Sequence, residues 1–517
     1  MISNPSSSWD LIAVPPRLPV KMSMASLPVE LVHEICSYLQ LSEWKALRLT
    51  CRELCSKSLE RFMGRYFKSI TFIATSNGIR ELEEVTQSDN IREHVQELWM
   101  IPTVFESNHE INELDDCEYD VPSDSCQSLQ GDELEARRTT ILTIIEDNLN
   151  LINSEAFSTR LHTCLKSFKN VDTIGIAHYM TSFLLDPRQQ KVRFLGWRNL
   201  RDKIECRFDP VTLMYLHGLH MGRVNSLALS RLLQALNGCN LKIRKLHTCN
   251  ADYCGEIGRE IHLAQGQYDS LLSDLDELED LHACINLQQN RRSRFPESHM
   301  VLSSQTWLNL IIKVAPQLIK LTLSHDNDGD CRLRPYYFKE LFKSIEFTQL
   351  RELHFHRTRV TSGVLKLLVT RAKATLTTLT LYGVNLYEGA FREADDDLDF
   401  SAANIFNFPV KRRRYSPRNV NDSSDSDDFE EPRALIWKSV WDFFRNELSL
   451  QKFSMIYLII NDRPIVIQGF DGLIKRRKDA SFDSETAGIS FGEWIDQLTP
   501  VELDEYVSCW WRENDGE

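Results

Sequence analysis

His354 and His356 stand two residues apart in Leu353-His354-Phe355-His356, and the pairs His247/Cys249 and His282/Cys284 repeat that spacing. On an extended strand, residues at i and i+2 share a face, so each pair is placed to grip one metal ion. Zinc takes four ligands, and no third and fourth ligand follows at a recognisable interval. The expectation is a polar, protein-binding strand face that uses no metal or cofactor. His247-x-Cys249-x4-Cys254 is read as incidental, because Cys254 falls in a predicted loop. No Gly-x-Ser-x-Gly, phosphate-binding Walker loop, His-Glu-x-x-His or paired Cys-x-x-Cys cluster occurs, which leaves no nucleophile with its base. With 74 Asp and Glu in the chain, isolated carboxylates do not mark an acid–base pair. A binding protein is expected rather than an enzyme.

The elements that must carry these residues follow one pattern: apolar, two variable, apolar, one variable, apolar. It recurs at Val171-Ile174-Ile176, Ile243-Leu246-Thr248, Leu278-Leu281-Ala283, Leu318-Leu321-Leu323, Leu350-Leu353-Phe355, Leu376-Leu379-Leu381 and Leu450-Phe453-Met455. Helical stripes precede these runs, among them Leu161/Cys164/Leu165/Phe168, Leu229/Leu232/Leu233/Leu236, Val364/Leu367/Leu368 and Trp437/Val440/Trp441/Phe444. Helix followed by strand, repeatedly, predicts an α/β fold with parallel strands and crossover helices. The strand pattern resembles that of leucine-rich repeats, and the 32- and 26-residue steps from Leu318 to Leu350 to Leu376 lie close to or slightly beyond that family's period. The resemblance implies an irregular solenoid with outer helices. An open doubly wound sheet is the alternative, but no glycine-rich phosphate turn follows any of these strands. The period of two then puts His247, His282, Thr322, His354, His356, Thr380 and Tyr382 outward on one face, the expected contact surface for a target.

Upstream lies Leu27-Pro28-Val29-Glu30-Leu31-Val32-His33-Glu34-Ile35-Cys36-Ser37-Tyr38-Leu39, continuing to Leu47-Arg48-Leu49-Thr50-Cys51-Arg52. Pro28 suits the first helical position and Glu30 the first turn. Leu31, Val32, Ile35 and Leu39 make an apolar stripe, Ser42-Glu43 opens a second helix, and Cys55, Leu59, Phe62, Met63 and Tyr66 stripe a third. The stretch resembles an F-box. That resemblance implies docking on the Skp-type adaptor of a cullin-RING core, with Leu27, Pro28, Leu31, Ile35, Leu39 and Leu47 in the adaptor-binding positions. Many members carry Trp after the Cys-Arg pair; here Glu53-Leu54-Cys55 comes next, which leaves the end of the motif open.

At 517 residues with a net charge of −14, the chain exceeds one core and lacks the positive charge a nucleic-acid grip requires. Thirteen cysteines, an odd number without a framework, predict reduced intracellular thiols, and no apolar run is long enough to span a membrane. The chain is expected to divide into a flexible arm (1–24), the F-box (25–66), a linker with first strand-like units (67–105) and an acidic loop (106–136). A solenoid (137–389), a charged insertion (390–435) and a last repeat with tail (436–517) complete it. Met24 is a candidate alternative start. Lys411 to Arg414 form a short basic tract, so a cytoplasmic or nuclear location, or both, is expected. Ser423, Ser424 and Ser426 among acids are candidate phosphosites. The function expected is that of a substrate-recognition subunit of an SCF-type ubiquitin ligase, which binds an unknown protein target. The alternatives are an adaptor-bound scaffold that regulates its partner without ubiquitylation, and an enzyme hidden in the strand face.

Overall fold

A computed structural model describes residues 23–102, 132–177, 194–199, 222–248, 263, 265–284, 309–324, 345–386, 434–460, 463–468 and 479–502. Two compact units divide the chain, Met1–Lys68 and Ser69–Glu517.

The first unit holds three helices, α1 (Val29–Tyr38), α2 (Leu41–Thr50) and α3 (Arg52–Tyr66). Pro28 stands at the N-cap, one position earlier than expected, and its carbonyl accepts the Val32 N–H at 3.2 Å. The ring costs no helical hydrogen bond there either. The expected cap at Ser42 is corrected to Gln40. Glu43 Oε2 accepts the Gln40 N–H at 2.8 Å while the Gln40 side chain accepts from the Glu43 backbone, a reciprocal capping box two residues ahead of the expected start. Trp44 is fully buried at the centre, its ring edge-on to Phe62 at 5.7 Å and Tyr66 at 5.5 Å. Val32, Cys36 and Leu54 complete the core, and Leu27, Leu39, Leu47 and Met63 pack partly against it. Lys57 Nζ donates to the carbonyls of Ala25 (2.6 Å) and Leu27 (2.9 Å), fastening the segment before α1 to α3.

The second unit is an α/β repeat with a mostly parallel sheet. Strands β1 (Ser69–Ile73), β2 (Glu97–Ile101), β3 (Thr173–Ile176), β5 (Lys245–His247), β6 (Asp280–Cys284), β7 (Lys320–Ser324), β8 (Glu352–His356), β10 (Thr378–Tyr382) and β12 (Lys452–Ile456) pair in parallel in that order. Two short additions close its edges. β4 (Phe194–Leu195) lies parallel outside β1, and β15 (Asp479–Asp483) runs antiparallel to β12. One register row reads Ile70, Leu98, Ile174, Leu246, Leu281, Leu321, Leu353, Leu379 and Phe453, every member buried. This ladder is why the sequence pattern repeats: each strand buries the same position against its neighbours.

Helices cover that buried side. Leu161, Cys164 and Leu165 of Glu155–Ser167, Leu229, Leu232, Leu233 and Leu236 of Gly222–Leu236, and Val364 and Leu368 of Ser362–Ala372 are buried with the ladder. Trp437, Val440, Trp441 and Phe444 of Ala434–Glu447 join the same core. After the last parallel strand, Trp494 rests against Phe453 (6.0 Å) and Phe482 (5.6 Å). A second sheet adjoins the first, with β9 (Arg359–Val360), β11 (Asn385–Leu386) and β13 (Ile459–Ile460) parallel, then β14 (Arg463–Gln468) and β16 (Thr499–Glu502) antiparallel. Arg357, Gly383 and Tyr457 take positive φ (49°, 62° and 52°) just past β8, β10 and β12, so the same left-handed turn leads from one sheet to the other in three repeats.

Residues 67–105, expected to hold a linker with first strand-like units, contain β1, the helix Ser76–Gln87 and β2. Val95-Leu98-Met100 carries the repeat signature, all three buried. The expected acidic loop ends inside the helix Asp132–Asn153, and its residues 106–131 lie outside the described residues. So do residues 1–22, residues 390–433 with Lys411 to Arg414 and the candidate phosphoserines, Cys249, Cys254, Trp510 and Trp511. Among the described residues, no helix is long and apolar enough to cross a membrane.

Candidate interaction surfaces

All seven expected contact residues lie on the sheet face away from the buried ladder. One register row runs Trp99, Gly175, His247, His282, Thr322, His354, Thr380 and Ser454. The next, two residues along, places His356 beside Ser324 and Tyr382. Their rings form a line of edge-on contacts with one tilted pair, His356 and Tyr382. Centroids are 5.5 Å apart from Trp99 to His247, 5.8 Å to His282, 6.2 Å to His356, 5.6 Å to Tyr382 and 5.9 Å to Tyr457. His354 touches His356 at 6.4 Å. Such arrangements suit ring quadrupoles.

Gly175 is what lets the line cross β3. A Cβ there would meet Trp99 carbons at 2.4 and 2.7 Å, so the indole lies across the space a side chain would fill and reaches His247 beyond it. The expectation that every member of the face meets solvent needs correction. His282 is 4% and Thr322 5% exposed. The His282 ring is packed between those of His247 and His356, with Nε2 3.1 Å from Ser324 Oγ, and Thr322 sits between His282 and His354 in the row. His247, His354, His356, Thr380 and Tyr382 are half-buried. Trp99 and Tyr457, absent from the expected set, complete the line. Trp99 belongs to the Val95 repeat, whose valine and methionine disguise the leucine pattern, and Tyr457 lies just past the end of its strand.

A row of alternating charge flanks the rings: Lys245, Asp280, Lys320, Glu352 on β5 to β8, then Lys452 and Asp483 on β12 and β15. Lys320 Nζ is 3.7 Å from Glu352 and Lys452 Nζ 3.4 Å from Asp483. His247 and His354 each approach a carboxylate at 3.4 Å, Asp280 and Glu352 respectively. Burial raises the Asp280 carboxyl, but His247, Lys320 and Lys245 outweigh it and hold the group below its ordinary value. For His354, burial and Lys320 outweigh Glu352 and hold the imidazole below its ordinary value. Among the described residues, no three His, Cys, Asp or Glu side chains converge to hold a metal ion. Burial pushes the thiols of Cys164 and Cys239 up to about 12 and about 11, far from the reactive thiolate range.

The N-terminal unit presents a different surface. The predicted stripe on α1 splits in two: Val32 and Cys36, four apart, are buried, whereas Leu31 is 51% exposed, Tyr38 is 79% exposed and Ile35 is half-buried. Leu31, Ile35 and Tyr38 share a helix face at i, i+4 and i+7. Pro28 is exposed, Val29 and Leu49 are exposed as well, and Leu27, Leu39 and Leu47 are half-buried. Tyr38 and Leu49 lie outside the expected docking set.

No protein-family model matches the chain, and no curated protein matches it in sequence. Among solved structures, it is similar to a chain of the Rad7 and Elc1 complex in yeast, at 11% identity over 69% of this chain and 80% of that one, with a TM-score of 0.24. Similarity at that level does not assign a function.

Proposed function

We propose that this protein is the substrate-recognition subunit of an SCF-type cullin-RING ubiquitin ligase. In this reading residues 25–66 act as an F-box on a Skp-type adaptor, and the ring-lined strand face receives the protein to be ubiquitylated. The observation that carries it is the N-terminal unit itself: a Leu-Pro-led, three-helix unit around Trp44 that leaves Leu31, Tyr38 and Leu49 in solvent. Large exposed apolar side chains on so small a unit mark a docking face. The strand face supplies the second half of the role. Half-buried rings beside a self-neutralised charge row suit protein recognition.

The test is capture of adaptor and cullin by the full chain. Leu31→Asp should weaken adaptor capture by roughly 30-fold or more, as loss of an interface anchor does. Because Leu31 is already exposed, the melting temperature should stay within about 1 °C. Pro28→Ala with Ile35→Ala should act in the same direction. Full capture by Leu31→Asp would remove the F-box assignment. A protein held by the wild type, lost from Tyr382→Ala and ubiquitylated in the reconstituted complex supports the receptor role. Capture without ubiquitylation favours the scaffold.

A further inference from the structure

Leu49, 87% exposed, reaches further into solvent than any other large apolar side chain among the described residues. It stands where α2 gives way to α3, with Arg48 before it and Arg52, the first residue of α3, three positions on. We propose that this corner is a charged extension of the adaptor-docking face, at which Leu49 enters an apolar recess of the partner and Arg52 receives one of its Asp or Glu side chains, with Arg48 adding a second unpaired charge. The inference rests on the ligase reading for the partner's identity and adds the chemistry that the partner must carry.

Charge is spread unevenly along the chain. Residues 23–68 hold seven Lys and Arg against five Glu and no Asp, whereas the whole chain holds 60 against 74. The Glu of α2 and the Glu in the first turn of α3 are already engaged. Glu43 closes the capping box with Gln40, and Glu53 is bound to Lys57 at 2.7 Å. Among the described residues, neither Arg48 nor Arg52 is paired with a carboxylate.

Arg52 is exposed and Arg48 half-buried. Arg48 Cζ lies 4.1 Å from the Phe62 ring centroid, Nη2 is 3.6 Å from Cys55 Sγ, and Nη1 is buried with no hydrogen-bond partner. A guanidinium so placed is partly desolvated without an opposite charge beside it, which costs free energy until one arrives. The corner is also the positive end of the 15-residue α3, with Cys51 as N-cap, so the helix dipole adds to both charges. Guanidinium groups take carboxylates through two parallel N–H···O bonds. A bare polyanion would meet the arginines but gain nothing from Leu49, so the corner fits a protein surface that joins an apolar recess to acidic side chains.

Binding of the full chain to a purified Skp-type adaptor, followed by biolayer interferometry at about 50 and about 300 mM salt, tests this. Arg52→Glu should slow association by roughly tenfold at the lower salt and flatten its salt dependence, because steering charges act on the on-rate. Leu49→Ser should instead speed dissociation by roughly tenfold, as loss of an anchor does. Both side chains are exposed, so the melting temperature should move by no more than about 1 °C. In Arg52→Lys, which keeps the charge, zero-length carbodiimide coupling of amine to carboxylate should link position 52 to an Asp or Glu of the adaptor. Wild-type binding that either Arg52→Glu or Leu49→Ser leaves unchanged would overturn the inference while the ligase reading stands. No binding of the adaptor by the wild type would remove both. Self-association of the wild type that Arg52→Glu abolishes would put a second copy of the chain at the corner instead.

Discussion

The three-helix unit and the strand unit solve the same problem at different sizes. Among the described residues, the apolar side chains buried around Trp44 are Val32, Cys36, Leu54 and Phe62, and other apolar side chains remain outside on α1 and α2. In the strand unit the rungs of the leucine ladder are buried against one another and beneath the described helices, and the far face carries indole, imidazole, hydroxyl and charge. A small unit has too little chain to hide its apolar residues, whereas a stacked one hides them serially. The two therefore offer partners different chemistry, an apolar docking face in one and a ring-and-charge face in the other.

The hardest test of the contrast is to empty each core once. Trp44→Ala should cost about 3–5 kcal/mol. Among the described residues of the N-terminal unit no second core residue is of that size, so amide protection across 29–66 should vanish in hydrogen exchange, and adaptor capture with it. Leu353→Ala, in the middle of the ladder, should cost about 2–5 kcal/mol. Its effect should be graded: exchange rises most in β7, β8 and β10 and less in β1 and β2. Uniform loss across the ladder would mean that the strand unit folds as a single block, and serial covering would not explain its stability.

A smaller effect is expected on the sheet face away from the ladder. Gly175→Val places a side chain where the Trp99 ring lies, and overpacking of this kind costs about 1–3 kcal/mol. Trp99→Leu alone should be milder, and it should relieve much of the Gly175→Val penalty in a double-mutant cycle read by urea midpoints. Additive effects would show that the indole does not occupy the glycine's space.

That arrangement also marks where the sequence stops being legible. The Leu318, Leu350 and Leu376 runs announce their strands because one position in each is buried in every repeat, which leaves a period of two in the residue types. Phe67-Ile70-Phe72 and Val95-Leu98-Met100 carry the same spacing, but with leucine absent from most of these positions the region reads only as strand-like units and not as repeats. On α1 the apolar stripe is visible but not its inner edge. Leu31 and Val32 are both apolar, and only packing against Trp44 decides that Val32 turns inward. The outward face of the strands comes from alternation, yet the contact of Trp99 with His247 across Gly175 depends on strand register, which no local spacing encodes. The burial of His282 depends on the same register.

The least effect should come from charge. Arg160 on Glu155–Ser167 donates through Nε and Nη2 to both carboxylate oxygens of Glu83 on Ser76–Gln87, at 2.7 and 2.8 Å, joining two helices of the outer layer. Hydrogen bonding to Arg160 holds the Glu83 carboxyl below its ordinary value, against a partial offset from burial. Both side chains are about one-third exposed, so solvent screening limits the pair to about 0.5–1 kcal/mol. A carboxylate depressed in the folded state stabilises above its unfolded pKa of about 4.3, and the contribution is lost as pH falls through the folded value. The difference in urea midpoint between wild type and Glu83→Gln should accordingly be small at pH 7 and narrow from about pH 5 downward. A gap above about 3 kcal/mol at pH 7 would exceed what a screened surface pair supplies. The outer helices would then be held by charge as much as by the ladder beneath them, and burial alone would no longer separate the strand unit from the helical one.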